Sequence, residues 1–145
     1  MPSSREELIA AKAGWNEALL EMFRHVEQVY KWGIYDRDPL PQWSRGRVTL
    51  LGDAAHPTMP TLAQGANMAI EDGFVLARLL ARHSEDVETA LQAYPAQRKP
   101  RTDWVTLKSR EQFINNTKAS PPPFVDRTWL FVNDVVREEG ALQPA

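Results

Sequence analysis

Cysteine is absent from the 145 residues, which excludes disulfides, thiolate nucleophiles and cysteine-based metal or iron–sulfur sites together. A reducing, cytoplasmic setting fits that absence. Glycine is scarce: the seven, at positions 14, 33, 46, 52, 65, 73 and 140, nowhere form the G-x-G-x-x-G that seats a dinucleotide pyrophosphate after a strand. No apolar run approaches the ~18 residues of a membrane-spanning helix, and the charges of Met1 to Glu7 are followed by no apolar stretch, so neither a membrane span nor a standard secretion signal is expected. An excess of one charge is missing too. The 17 basic and 19 acidic residues give a net charge of -2 with the signs interspersed, which leaves no broad electrostatic footprint for nucleic acid or anionic lipid. His25, His56 and His83 stand at no metal-ligand spacing, so no metal site is expected. There is no G-x-S-x-G and no evident nucleophile beside a base, which argues against a hydrolase.

What is present is the balance of a folded domain, with 43% hydrophobic and 25% charged residues. Ser3 and Ser4, each followed three residues later by a glutamate, are capping-box candidates. Leu8, Ala11, Trp15, Leu19, Met22 and Val26 then recur at steps of three and four, so one amphipathic helix is expected over residues 4–26. Tyr30, Trp32 and Ile34 alternate with Val29, Lys31 and Gly33 as in a strand. Arg47 to Leu51 reads as a short buried strand ended by Gly52. Residues 53–66 read as loop and residues 67–82 as a helix apolar nearly all round, hence packed on several sides. Further helix is expected over 87–94 and 100–117, with Pro95 and Pro100 forcing a kink or a new start. The cluster from Arg98 to Arg110 suits a solvated helix face. Pro121-Pro122-Pro123 reads as a stiff spacer, and residues 129–136 as a strand or, in preference, a last helix.

The chemistry concentrates in Gly52-Asp53-Ala54-Ala55-His56-Pro57 and Pro60-Thr61-Leu62-Ala63-Gln64-Gly65-Ala66-Asn67. A carboxylate at the C-terminal end of a strand can accept hydrogen bonds from sugar-like hydroxyls, and Gly52 leaves room for them. Gly65 lets main chain approach a flat ring, and free N–H groups at the start of the next helix favour negative charge there. Singly, each feature has a plainer use: Asp53 as an N-cap or turn residue, His56 as a structural histidine, the prolines as loop formers.

Together, Gly52-Asp53-Ala54-Ala55-His56, Pro60, Gln64-Gly65-Ala66-Asn67 and Glu71-Asp72 resemble the second flavin-binding signature of the class A, single-component FAD-dependent aromatic monooxygenases, the group of para-hydroxybenzoate and salicylate hydroxylases. Tyr35-Asp36-Arg37-Asp38-Pro39-Leu40, Trp43, Gly46 to Leu51 and Arg98-Lys99-Pro100-Arg101 resemble the salicylate-hydroxylase branch. The resemblance implies an α/β chain, helix-rich with few strands, forming the C-terminal part of a glutathione-reductase-like flavoprotein hydroxylase fold. Residues 1–45 would be the tail of a substrate-binding domain, 46–83 the second flavin-binding segment and 84–145 a C-terminal helical region.

The resemblance also implies residue roles. Gly52 and Asp53 would be cofactor-binding, Asp53 holding the ribityl hydroxyls, and Pro60 would lie against the isoalloxazine near the edge where oxygen reacts. Gly65, Ala66 and Asn67 would offer backbone groups to the pyrimidine edge, and His56 would hold the turn. Ala63 stands where many members have glycine. The cofactor would be FAD with NAD(P)H as electron donor, and the substrate a small aromatic acid hydroxylated with O2. Members open with a G-x-G-x-x-G segment, which is not present here, so the chain is expected to be incomplete as an enzyme. The alternative is a non-catalytic truncated or split module that self-associates or pairs with a complementary chain.

Overall fold

The computed structural model describes residues 1–118, 120, 128–131 and 133–136. It divides into two compact units, Met1–Ile34 and Tyr35 onward. In the first unit, β1 (Pro2–Ser3) pairs antiparallel with β2 (Val29–Tyr30), Pro2 opposite Tyr30. Between them lie α1 (Arg5–Ala11) and α2 (Glu17–Arg24). Ser4 is the N-cap of α1, its Oγ accepting the Glu7 N–H at 3.1 Å. The single helix expected over 4–26 is therefore two. Gly14 adopts φ +84, and Asn16 starts a new helix by accepting the Ala18 N–H at 2.8 Å. Apolar spacing runs through this break because a step of four, Ala11 to Trp15, spans it without losing phase. The ladder covers only Val29–Tyr30 of the expected strand, and Trp32 and Ile34 are exposed beyond it.

In the second unit, β3 (Ser44–Arg45) and β4 (Val48–Thr49) form a hairpin about Gly46, which has φ +55. The expected buried strand over 47–51 shrinks to these two ladder residues, and Val48 is exposed. Gly52–Ala54 and Pro60–Leu62 are single 3₁₀ turns. Then come α3 (Gly65–Arg82), α4 (Val87–Asn116) and the short α5 (Thr128–Phe131).

Helices α3 and α4 pack as an antiparallel pair. Val75 and Leu79 meet Ala90 and Tyr94 at one end, in a cluster completed by Trp43 and Ala55. Met68 meets Leu62, Val105 and Leu130 at the other. Met68, Asp72, Val75 and Leu79, at steps of four, three and four, make the buried face of α3. Packing on several sides is not what α3 has, since Ile70 and Phe74 are exposed.

The break expected in α4 is absent: it runs unbroken through Pro95 and Pro100. A helical proline strips the carbonyl four residues earlier of its donor. For Pro95 that carbonyl is Leu91, and the buried Ser44 hydroxyl donates to it at 2.5 Å. The hairpin thus supplies the hydrogen bond that the helix lacks. Of the expected helix over 129–136, the described helical part ends at Phe131. The triple proline lies outside the described residues.

Candidate functional site

Gly52 fixes the start of the site for two reasons. Its φ is +59, and a Cβ there would stand 3.2 Å from the Cβ of Ala69 on α3. Its N–H donates to Asp72 Oδ2 at 3.1 Å, while its carbonyl accepts the N–H groups of Ala55 and His56 at 2.8 and 2.9 Å. Gly52 is buried and the room beside it is taken by α3, so its contribution is the turn that carries Asp53. Arg37 donates to the Ala54 carbonyl and ties the same turn from its outer side.

Behind the turn lies a buried ionic network. His56 Nε2 is 2.6 Å from Asp72 Oδ2, and the His56 ring packs on Trp43 with centroids 5.4 Å apart. Arg98 Nε donates to Asp72 Oδ1 at 2.7 Å, and its NH2 group to Glu71 at 2.7 Å. Arg101 reaches both Glu71 oxygens, at 3.0 and 3.1 Å, and the Leu130 carbonyl at 3.2 Å. Asp72 is fully inaccessible to solvent, and Arg98 and Arg101 are 2% and 9% exposed. The expected solvated basic face is corrected here: these arginines point inward because two carboxylates of α3 would otherwise be buried without counter-charge. Arg110, by contrast, reaches Asp36 and Asp38, each at 2.7 Å, in more open surroundings.

Burial by itself would raise the Asp72 pKa, but hydrogen bonds from His56 and Arg98, with the Arg98 charge, outweigh it and hold the carboxyl below its ordinary value. A lowered folded pKa means the unfolded state takes up the proton first as pH falls. The stabilisation is therefore fully present above the ordinary aspartate value of 3.8 and is lost as pH falls through the lowered folded value. Urea unfolding followed across that window should show wild type losing stability and Asp72→Asn showing a flatter dependence. Equal slopes would remove Asp72 from the acid response.

The second half of the site is the entry to α3. Pro60 is exposed on its turn, which is anchored to α4 by the Thr61 hydroxyl donating to the Ser109 carbonyl at 2.5 Å. Leu62 is buried beside Met68 and Val105. Ala63 takes the left-handed conformation, φ 53 and ψ 34, which explains why glycine suits this position and costs an alanine roughly 1–2 kcal/mol. Gln64 is buried, and its side chain does not cap α3. The N–H groups of Gly65, Ala66 and Asn67 therefore open α3 without a side-chain acceptor from the capping residue.

The structure brings Asp53 to this helix end. Asp53 is exposed, and its Oδ1 lies 3.9 Å from where a Cβ on Gly65 would stand, with Thr58 Cγ2 at 3.4 Å. A carboxylate that accepts hydrogen bonds and a row of N–H donors thus sit side by side, both open to solvent. This arrangement fits a ligand that carries hydroxyl groups next to an atom that bears negative charge, as a flavin does. Pro60 belongs to a separate turn. In the sequence Glu71-Asp72 and Arg98 to Arg101 stood out only as parts of the family resemblance, and nothing there paired the acids with the arginines. Among the described residues no group of three His, Cys, Asp or Glu side chains could hold a metal ion, and no helix is long and apolar enough to cross a membrane.

Residues 7–109 match the family model described as FAD binding domain. A 3-amino-4-hydroxybenzoate 2-monooxygenase of Streptomyces platensis is 49% identical over 111 residues, which are 77% of this chain and 28% of that protein. Among solved structures, a salicylate hydroxylase substrate complex superposes with a TM-score of 0.77 at 29% identity, covering 93% of this chain and 36% of that one. Klebsiella pneumoniae HpxO complexed with FAD and uric acid gives 0.66 at 34% identity, covering 76% and 30%. The chain thus spans 28% to 36% of the length of these proteins.

Proposed function

Because this chain belongs to the FAD binding domain family, we propose that it supplies the ribityl and ring-edge contacts of an FAD-dependent monooxygenase. That enzyme would hydroxylate a small aromatic acid with NAD(P)H and O2 in the cytoplasm. The observation that carries the proposal is the Asp53 carboxylate standing beside the uncapped start of α3 at Gly65. A bound FAD would supply the redox and oxygen chemistry, which no side chain provides. This chain's residues bind and orient. Gly52 shapes the turn, Asp53 accepts hydrogen bonds from ribityl hydroxyls, and Pro60 borders the ring. Gly65, Ala66 and Asn67 would offer backbone N–H groups to negative charge at the pyrimidine edge of the ring. The relatives support an aromatic substrate, since one is by name a 3-amino-4-hydroxybenzoate 2-monooxygenase and another a salicylate hydroxylase.

Pairing with a second copy or a complementary chain is supported by the exposed Ile70 and Phe74, one helical turn apart on α3. One set of titrations tests both parts. FAD fluorescence should be quenched weakly by this chain alone, which has no G-x-G-x-x-G, and strongly once an ADP-binding portion is supplied. Sedimentation of the chain alone should show an assembly. No quenching in the reconstituted protein would contradict the flavin proposal, and a compact monomer at high concentration would contradict the pairing.

A further inference from the structure

We propose that Asp72 is a positioning residue for Asp53, acting through the Gly52 N–H, so that one buried carboxylate sets where the ribityl-binding carboxylate stands. The proposal rests on the flavin assignment above. Asp72 touches no open surface, yet it joins three elements. Its Oδ2 takes the Gly52 N–H at 3.1 Å and His56 Nε2 at 2.6 Å, and its Oδ1 takes Arg98 Nε of α4 at 2.7 Å. The residue before Asp53 is thereby held on both sides, its N–H by Asp72 and its carbonyl by the N–H groups of Ala55 and His56.

Asp72 lies seven residues after Gly65 on the same helix, two turns or about 10.5 Å along it. Both halves of the flavin contact, the Asp53 carboxylate and the N–H groups of Gly65 to Asn67, are therefore referenced to one rigid element. Arg98 completes the device by neutralising Asp72 and fixing its plane through Nε while its NH2 group holds Glu71 one residue away. An asparagine at position 72 has a single acceptor oxygen. It cannot face Gly52, His56 and Arg98 together, so either the turn or the arginine loses its acceptor.

A double-mutant cycle on FAD affinity, measured by fluorescence in the reconstituted holoprotein, separates positioning from general stability. Asp53→Ala and Asp72→Asn should each weaken FAD binding at least about tenfold. In the Asp53→Ala background, Asp72→Asn should add less than about threefold, because the carboxylate it positions is gone. Losses that multiply in the double variant would show that Asp72 acts independently of Asp53 and would overturn the proposal, as would unchanged affinity in Asp72→Asn. Wild-type affinity in Asp53→Ala would overturn the flavin assignment and this inference with it. If Asp72→Asn fails to fold, Arg98→Lys keeps the charge, loses the planar fork, and goes through the same cycle with the same expected non-additivity.

Discussion

Replacing Arg98 with methionine should destabilise the fold by about 3–5 kcal/mol, the loss expected when one partner of a buried ion pair is removed and the other stays. The methionine stem would still fill much of the arginine's space. What disappears is the counter-charge of two acids. Asp72, fully buried, would be left with His56 and the Gly52 N–H but no counter-charge from α4, and Glu71 would depend on Arg101. The Met68 carbonyl would also lose the guanidinium at 3.3 Å. Chemical denaturation measures the effect as a fall in the urea midpoint. Combining Arg98→Met with Asp72→Leu should recover part of the loss, since an apolar pair leaves no charge stranded. A comparable change at Lys108, whose partner Glu111 is exposed like itself, should have far less effect. If Arg98→Met proved as mild as Lys108→Met, the buried network would not be what joins α3 to α4.

That contrast marks the boundary of what could be read from the chain. Lys108 and Arg98 are equivalent in a helical pattern, because what separates them is Glu71 and Asp72, 27 and 26 residues before Arg98 on another helix. Helical continuity through Pro95 was hidden for a similar reason. The hydroxyl that satisfies Leu91 comes from Ser44, 47 residues away in a hairpin. Long-range polar partners leave no periodicity behind.

Local rules did leave marks. Ser4 before a glutamate three residues on gave a true N-cap. Gly52 bears a positive φ against Ala69. The uncapped glycine entry to α3 follows a loop of prolines and small residues, each carrying a strong local preference. The resemblance to flavoprotein hydroxylases rested on those same locally constrained residues, and for that reason it survived errors in element boundaries. The division between α1 and α2 went unread because Gly14 and Asn16, both legible as a stop and a start, fall inside an unbroken apolar series.

Asp53→Ala should have the largest effect on cofactor retention of any single change in this chain. A carboxylate accepting from ribityl hydroxyls makes charge-assisted hydrogen bonds, each worth about 1.5–3 kcal/mol. Alanine leaves those hydroxyls without an acceptor and removes nothing from the core, since Asp53 is exposed and its neighbours Gly52, Ala55 and His56 keep the turn through Asp72. Loss of one such bond alone weakens binding about tenfold or more. Melting temperature should hardly move. His56→Ala should show the opposite balance, lowering thermal stability with a smaller change in flavin affinity, because His56 is buried between Trp43 and Asp72. The decisive measurement is the FAD dissociation constant of Asp53→Ala against wild type in the reconstituted holoprotein: a value at least about tenfold weaker is expected for a flavin site at this turn, and equal affinity in the two proteins would contradict it.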